Sequence, residues 1–183
     1  QNSDLFTDFG QERDAEPFFS RRIGISKDFE GNTVENRIIS GMRLSGKIND
    51  KLRIGLLNVL TEEDRAKGIP QNNNTLFTLR NKVFARSNYS FFFINRENTK
   101  DYDFVENQKK YNRVFGFEYN LASKNGQWKG RTFIHKSFTP EKNDKNTSFG
   151  IRLSKNSRKH YISMGGSYVG DDFRSDLGYY RRY

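Results

Sequence analysis

Few residues in this chain are suited to catalysis or metal binding, and their spacing favours neither. The chain has two His residues, His135 and His160, and no Cys. Two His residues can form a metal pair or supply a general base, but no H-x-H or H-E-x-x-H spacing and no thiolate accompanies them. We therefore expect His135 to face the interior of the fold and His160 to lie beside a turn, with no metal and no cofactor.

The acidic residues also lack a catalytic pattern. Asp101 and Asp103 begin like a calcium loop, but the Gly and the terminal Glu of that motif are missing from their positions. A glycosidase needs two carboxylates at a fixed separation, and Glu118 is the one carboxylate predicted to point inward from a strand. The glycine-rich run 164–170 lacks the Lys-Ser/Thr ending of a phosphate loop. The sequence therefore predicts no enzyme.

The elements that position these residues are β-strands, because the dominant hydrophobic period is two. Only residues 60–67 have the character of a helical turn. The pattern predicts an all-β fold, an antiparallel up-and-down meander of about ten strands. The predicted strands cover residues 18–25, 37–48, 51–60, 75–85, 88–96, 112–122, 127–138, 148–154, 159–169 and 174–183.

The connections between these strands alternate in length. Short polar turns fall at 49–50, 86–87, 123–126 and 155–158, whereas the connections 26–36, 61–74, 97–111 and 139–147 are long. In a meander all short connections meet at one end of the sheet. Tight turns at one end and long loops at the other are typical of outer-membrane barrels.

The two faces of each predicted strand differ in chemistry. Leu44, Leu56 and Ile134 belong to an apolar face, whereas the opposite face is rich in cations. The predicted basic lumen, which would bind anionic solutes, consists of Arg43, Arg53, Arg80, Lys82, Arg131 and Arg152. A barrel would direct the apolar face toward acyl chains and the cations inward. A soluble β-sandwich with a glycan-binding role shows the same alternation and is the alternative interpretation.

Composition separates the remaining classes. Charged residues make up 30% of the 183 residues and hydrophobic residues 33%, so a helical membrane protein is excluded, while 17 Phe and 9 Tyr argue against disorder. The formal net charge of +10 would suit nucleic acid. However, the cations are spread along the strands and not clustered, so no nucleic-acid partner is predicted.

Several segments resemble one family. The run from Pro17 to Gly24, PFFSRRIG, is similar to the start of outer-membrane β-barrel domains of unknown function, found in Gram-negative proteins behind an N-terminal family 9-type carbohydrate-binding module. The strands GMRLSGK from Gly41 and IGLLNVLT from Ile54 are also similar to segments of that family.

The resemblance implies a transmembrane barrel in the cell outer membrane. Its partners would be outer-membrane lipid, other outer-membrane proteins, and glycans or anionic solutes. We expect residues 1–17 to lead into the barrel and residues 18–183 to form part of it, within a longer protein. A role in surface glycan binding, transport or assembly follows, or attachment to a carbohydrate-active hydrolase. Arg21 and Arg22 are expected to be solvated, or else to meet acidic groups at the barrel mouth.

Overall fold

The computed structural model describes residues 4–10, 15–141 and 144–180, and these residues form an all-β fold. The described elements follow in chain order. They are α1 Asp4–Thr7, β1 Ala15–Glu16, a 3-10 turn Ser20–Arg22, β2 Ile25–Lys27, β3 Thr33–Glu35, β4 Ile38–Lys47, β5 Leu52–Thr61, a 3-10 turn Arg65–Lys67, β6 Asn72–Val83, β7 Ser87–Asn98, a 3-10 turn Asn107–Lys109, β8 Tyr111–Ala122, β9 Trp128–Phe138, β10 Thr147–Asn156, β11 Tyr161–Val169 and β12 Tyr179–Tyr180.

The main sheet contains eight antiparallel strands, β4 to β11, each paired with its neighbour in the chain. This confirms the predicted meander, with eight strands in the sheet where the sequence predicted about ten. Strands β4 and β11 are its two edges and do not pair with each other, so the described sheet is open. Two further pairs, β1 with β12 and β2 with β3, form small separate sheets.

The alternation of short and long connections is confirmed within the main sheet, whereas the predicted long connection 26–36 contains most of the β2–β3 hairpin. The residues between β4 and β5, β6 and β7, β8 and β9, and β10 and β11 form short turns, whereas longer loops follow β5, β7 and β9. Gly126 has a φ of +72° in the turn before β9, a conformation that few other residues adopt at low cost. The predicted helical turn near residues 60–67 is present as the 3-10 turn Arg65–Lys67.

Two predicted strands were wrong. In 18–25, residues Ser20–Arg22 form a 3-10 turn, which lets Phe18 and Ile23 pack into one core. In 174–183, only Tyr179–Tyr180 are in a strand, and residues 181–183 lie outside the described part of the chain. The buried pairs Phe18 and Ile23, and Phe173 and Leu177, are five and four residues apart. This spacing does not follow the period of two that a strand requires.

One face of the sheet is covered by residues 4–10, 15–23 and 173–180, which we call the cover. Leu5, Phe6 and Phe9 from its N-terminal part and Phe173 and Leu177 from its C-terminal part are buried in one core with the sheet. We call the covered side the inner face and the opposite side the outer face. Within the described residues, no helix is long and apolar enough to cross a bilayer.

Candidate functional site on the inner face

Strand register aligns cations on the inner face. Arg53 on β5 is the register partner of Lys47 on β4 and of Arg80 on β6. Nearer the opposite edge of the sheet, Arg131 on β9 is the register partner of Arg152 on β10. Like charges placed directly opposite each other destabilise a sheet. The inner face therefore needs counter-charges.

Two aspartates of the cover supply that charge. Both oxygens of Asp4 accept from the Arg53 guanidinium, at 2.8 and 3.0 Å, and Asp4 Oδ2 also accepts from Arg80 at 3.1 Å. Asp8 pairs with Arg80 at 3.3 Å and with Arg131. Residues 4–10, with Asp4 in the first turn of α1, thus lie against three predicted lumen arginines.

The Arg53 hydrogen bond lowers the pKa of Asp4. Desolvation opposes this change, while the charges of Arg53 and Arg80 reinforce it. Because the pKa falls on folding, the ion pairs contribute stability above the ordinary aspartate pKa of 3.8, and that stability is lost in acid. Asp4 therefore helps hold the cover on the sheet at neutral pH.

Contacts of the Phe6 ring also hold the cover on the sheet. The Arg43 guanidinium lies 4.6 Å from the centre of the Phe6 ring. Phe6 also fills the space above Gly55, where an added Cβ would come within 2.8 Å of the ring. A side chain at Gly55 would consequently lift the N-terminal part of the cover from the sheet.

A second polar cluster lies under the cover, and its Glu118 and His135 side chains are completely buried. His135 Nε2 is 3.0 Å from Glu118 Oε1, and His135 Nδ1 is 3.0 Å from the Tyr180 hydroxyl. The Gly10 N–H donates to the same Glu118 oxygen at 2.6 Å. A proton on Nε2, donated to the carboxylate, with the phenol donating to Nδ1, satisfies all these contacts.

This cluster joins both chain ends to the sheet. Burial raises the pKa of Tyr180 well above its ordinary value, and the Glu118 charge acts in the same direction, so the phenol keeps its proton. Phe92 and Phe133 pack against the His135 ring at 5.0 and 4.6 Å between centres. Glu118 and His135 are fully buried, so the cluster links the Gly10 backbone and the Tyr180 side chain of the cover to β8 and β9.

The six predicted lumen cations all lie on the inner face, but they are not equivalent. Arg53, Arg80 and Arg131 bind the cover, and Arg43 contacts Phe6 from an exposed strand. Lys82 and Arg152 are exposed. The predicted binding of anionic solutes by this set stays a prediction, with half of the set already paired to Asp4 and Asp8.

The outer face has the opposite chemistry. One row of register partners crosses all eight strands, and apart from one glycine every member is apolar or aromatic. The row consists of Gly46, Ile54, Leu79, Phe91, Phe117, Ile134, Phe149 and Tyr168. Toward the loops lies a second row, Leu44, Leu56, Phe77, Phe93 and Phe115. Ile134 and Leu44 are 53% and 58% exposed, so no other described layer covers this face.

Polar and amphipathic residues border the apolar rows. Toward the long loops, Asn58 pairs with Thr75, and Arg113 donates to Asn95 at 3.1 Å. Toward the short turns lies Trp128, with the Lys155 ammonium 5.3 Å from its ring. Aromatic and cationic side chains of this kind are typical of the edges of a lipid-facing band.

The other sequence candidates lie apart from these clusters. His160 is exposed at the turn before β11, Asp101 pairs with Lys110 at 2.9 Å, and Asp171 pairs with Lys145 at 2.9 Å. The glycine-rich run falls largely within β11, as predicted. Among the described residues no three His, Asp or Glu side chains are grouped to hold a metal ion.

Sequence reasoning missed Asp4, Asp8 and Tyr180 as partners of the inner face. The signal for the first two was the spacing of Leu5, Phe6 and Phe9 beside the aspartates, which suits one turn of an amphipathic helix. Comparisons with family models, with curated proteins and with solved structures find no match to this chain.

Proposed function

We propose that this chain is part of an outer-membrane β-barrel and is non-catalytic. Its outer face would meet lipid acyl chains, and its inner face would be filled by the cover. The observation that carries the proposal is the apolar row that crosses all eight strands in register and is left uncovered. Uncovered apolar surfaces of this extent mark membrane or partner contacts.

Strand length supports the membrane interpretation. The eight strands contain 9 to 12 residues each, whereas a tilted strand needs roughly 9–11 residues to cross a bilayer. Strands of ordinary soluble domains are usually shorter, about 5–6 residues. The apolar rows lie between the polar loop-side row and the aromatic turn side, as expected for a band of limited height.

The filled inner face favours one of the roles considered from the sequence. Three of its arginines are paired with the two carboxylates of Asp4 and Asp8, and Glu118 is occupied by His135 and Gly10. A face occupied in this way suits surface binding or assembly better than conduction of anions. We therefore propose a plugged domain, with glycan binding or assembly at its loop end.

The sheet edges add one requirement to the proposal. In lipid, unpaired backbone N–H and C=O groups are too costly to leave exposed. Strands β4 and β11 each have one paired side within the described sheet. A closed barrel would therefore need further strands, from the same polypeptide or from another, beside both of them.

A soluble glycan-binding module is the second candidate. It is favoured by the open sheet and by the exposed aromatic Trp128, which would act as a stacking platform. A soluble sandwich, however, requires a second layer on the outer face, and the described residues cover the inner face instead.

The single Trp of the chain offers a direct test. The purified protein is reconstituted into phosphatidylcholine vesicles whose acyl chains carry bromine at a shallow or a deep position. We expect Trp128 fluorescence to be quenched more by the shallow bromines, because this residue lies at the border of the apolar rows.

The soluble interpretation makes the contrary prediction. A protein that stays monomeric by gel filtration without detergent, with no quenching of Trp128 by either lipid, would overturn the proposal. Addition of acrylamide provides the control, since it quenches any Trp that remains in water.

A further inference from the structure

A cavity opens at the loop end of the inner face. Its volume is about 530 Å³, within the range of small-molecule sites. Its floor is formed by the ends of β5, β6 and β7, and its walls by the β2–β3 hairpin, the loop after β7 and residues 174–177. This cavity is separate from the Asp4 and Glu118 clusters.

The cavity has a positive balance of charge. Five cationic and three acidic side chains line it. On one wall Asp176 is shared by Arg96, at 3.1 Å, and Arg174, at 2.9 Å, so one positive charge stays uncompensated there. Lys109 is paired with Glu106 at 3.0 Å and lowers the pKa of that carboxyl through this hydrogen bond.

The second uncompensated positive charge lies on the opposite wall, where Arg22 and Lys27 face one acidic residue, Asp28. Lys27 donates to Thr33 at 2.8 Å, and the Asn36 amide donates to Ser26 at 3.0 Å. Arg22 lines the same wall, is exposed, and has no ion-pair partner among the described residues. This wall thus offers a cation beside several hydroxyl and amide groups.

An apolar surface completes the cavity. The rings of Phe29 and Phe104 meet edge to face at 6.2 Å between centres, and Phe29 remains 65% exposed. An aromatic face open to solvent in a cavity suits a ligand with one apolar side. The cavity therefore combines positive charge, neutral polar groups and an aromatic surface.

We propose that this cavity binds a small acidic sugar, with its carboxylate toward Arg22, its hydroxyls toward Ser26 and Asn36, and its C–H face on Phe29. A carboxylate alone would leave the amides and the aromatic surface unused, and a neutral sugar would leave the excess charge unmet. Sugar binding is argued from the cavity alone. Only the position of the cavity on one side of a membrane rests on the proposed function.

The test is calorimetric titration of the detergent-solubilised protein at low ionic strength with galacturonate, galactose and acetate. We expect galacturonate to bind at least about tenfold more tightly than either of the others, the ratio that one charge-assisted hydrogen bond supplies. Equal affinity for galactose would overturn the role of charge, equal affinity for acetate the role of the sugar, and absence of galacturonate binding the whole inference.

Neighbouring residues provide matched variants. Arg22→Gln should weaken galacturonate binding about tenfold, whereas Arg21→Gln, next in the chain but outside the cavity lining, should leave it unchanged. An equal loss in both variants would show long-range attraction and overturn the assigned site. Because binding is measured in detergent, its failure is distinct from a failure of Trp128 quenching in vesicles.

Discussion

The inner and outer faces of the same eight strands meet their surroundings in opposite ways. On the inner face, register aligns Arg53 with Arg80, and Asp4 from the cover pairs with both. On the outer face, register aligns Phe117 with Ile134, and no described residue covers them. The face that carries both the buried core and the arginines is thus the one that the described residues cover, and the outer apolar face is left uncovered by them.

The largest expected effect comes from the buried centre of the inner face. Glu118→Leu removes the partner of His135 and the acceptor of the Gly10 N–H. Each buried N–H left without an acceptor costs about 1–3 kcal/mol, so the loss of both contacts should lower the free energy of unfolding by about 2–6 kcal/mol. Urea unfolding in detergent micelles measures this change.

A matched variant separates burial from charge. Glu97 accepts from Arg113 at 3.3 Å on the partly exposed loop side of the sheet, so Glu97→Leu should change stability by about 0–1 kcal/mol. Equal effects of the two variants would contradict the distinction between the faces.

The next effect in size concerns the outer face. Ile134→Lys places a charge in the middle of the apolar row, and in vesicles this should cost about 2–4 kcal/mol of stability. Thr75→Lys, in the polar border row, should cost about 0–1 kcal/mol. Unfolding titrations in phospholipid vesicles compare the two, and a similar cost at both positions would argue against a lipid-facing band.

The smallest effect comes from the edge of the cover. Since the pKa of Asp4 is lowered on folding, the wild type should lose stability relative to Asp4→Asn as the pH falls below about 4. Asp4 is 46% exposed, so the neutral-pH cost of the variant should be only about 1 kcal/mol. Parallel stability curves of the two proteins between pH 2 and pH 6 would contradict this role.

Much of the sheet was predictable because its period of two is strictly kept. Leu44, Leu56 and Ile134 were assigned to one face and Arg43, Arg80 and Arg152 to the other, and the register confirms both assignments. Alternation of apolar and polar residues along a strand predicts which side chains share a face, whether that face is covered or exposed. The assignment of faces therefore does not require knowledge of what surrounds the sheet.

The cover was not predictable in the same way. Phe18 and Ile23 resemble strand residues in isolation, and their packing depends on contacts with Phe173 and Leu177, far away in sequence. The pairing of Asp4 with Arg80 spans 76 positions, and no local pattern encodes it. Long-range partners of this kind follow only from the fold itself.

The outer face is proposed to lie in lipid, and because the chain has no Cys, a single introduced Cys can test this directly. Ile134→Cys is labelled with an environment-sensitive nitrobenzoxadiazole dye and reconstituted into vesicles, with Asn125→Cys in a short turn as the aqueous control. We expect the fluorescence of the dye at position 134 to be quenched by nitroxides on the acyl chains and not by iodide in water. Quenching at position 134 by iodide, to the extent seen at position 125, would contradict it.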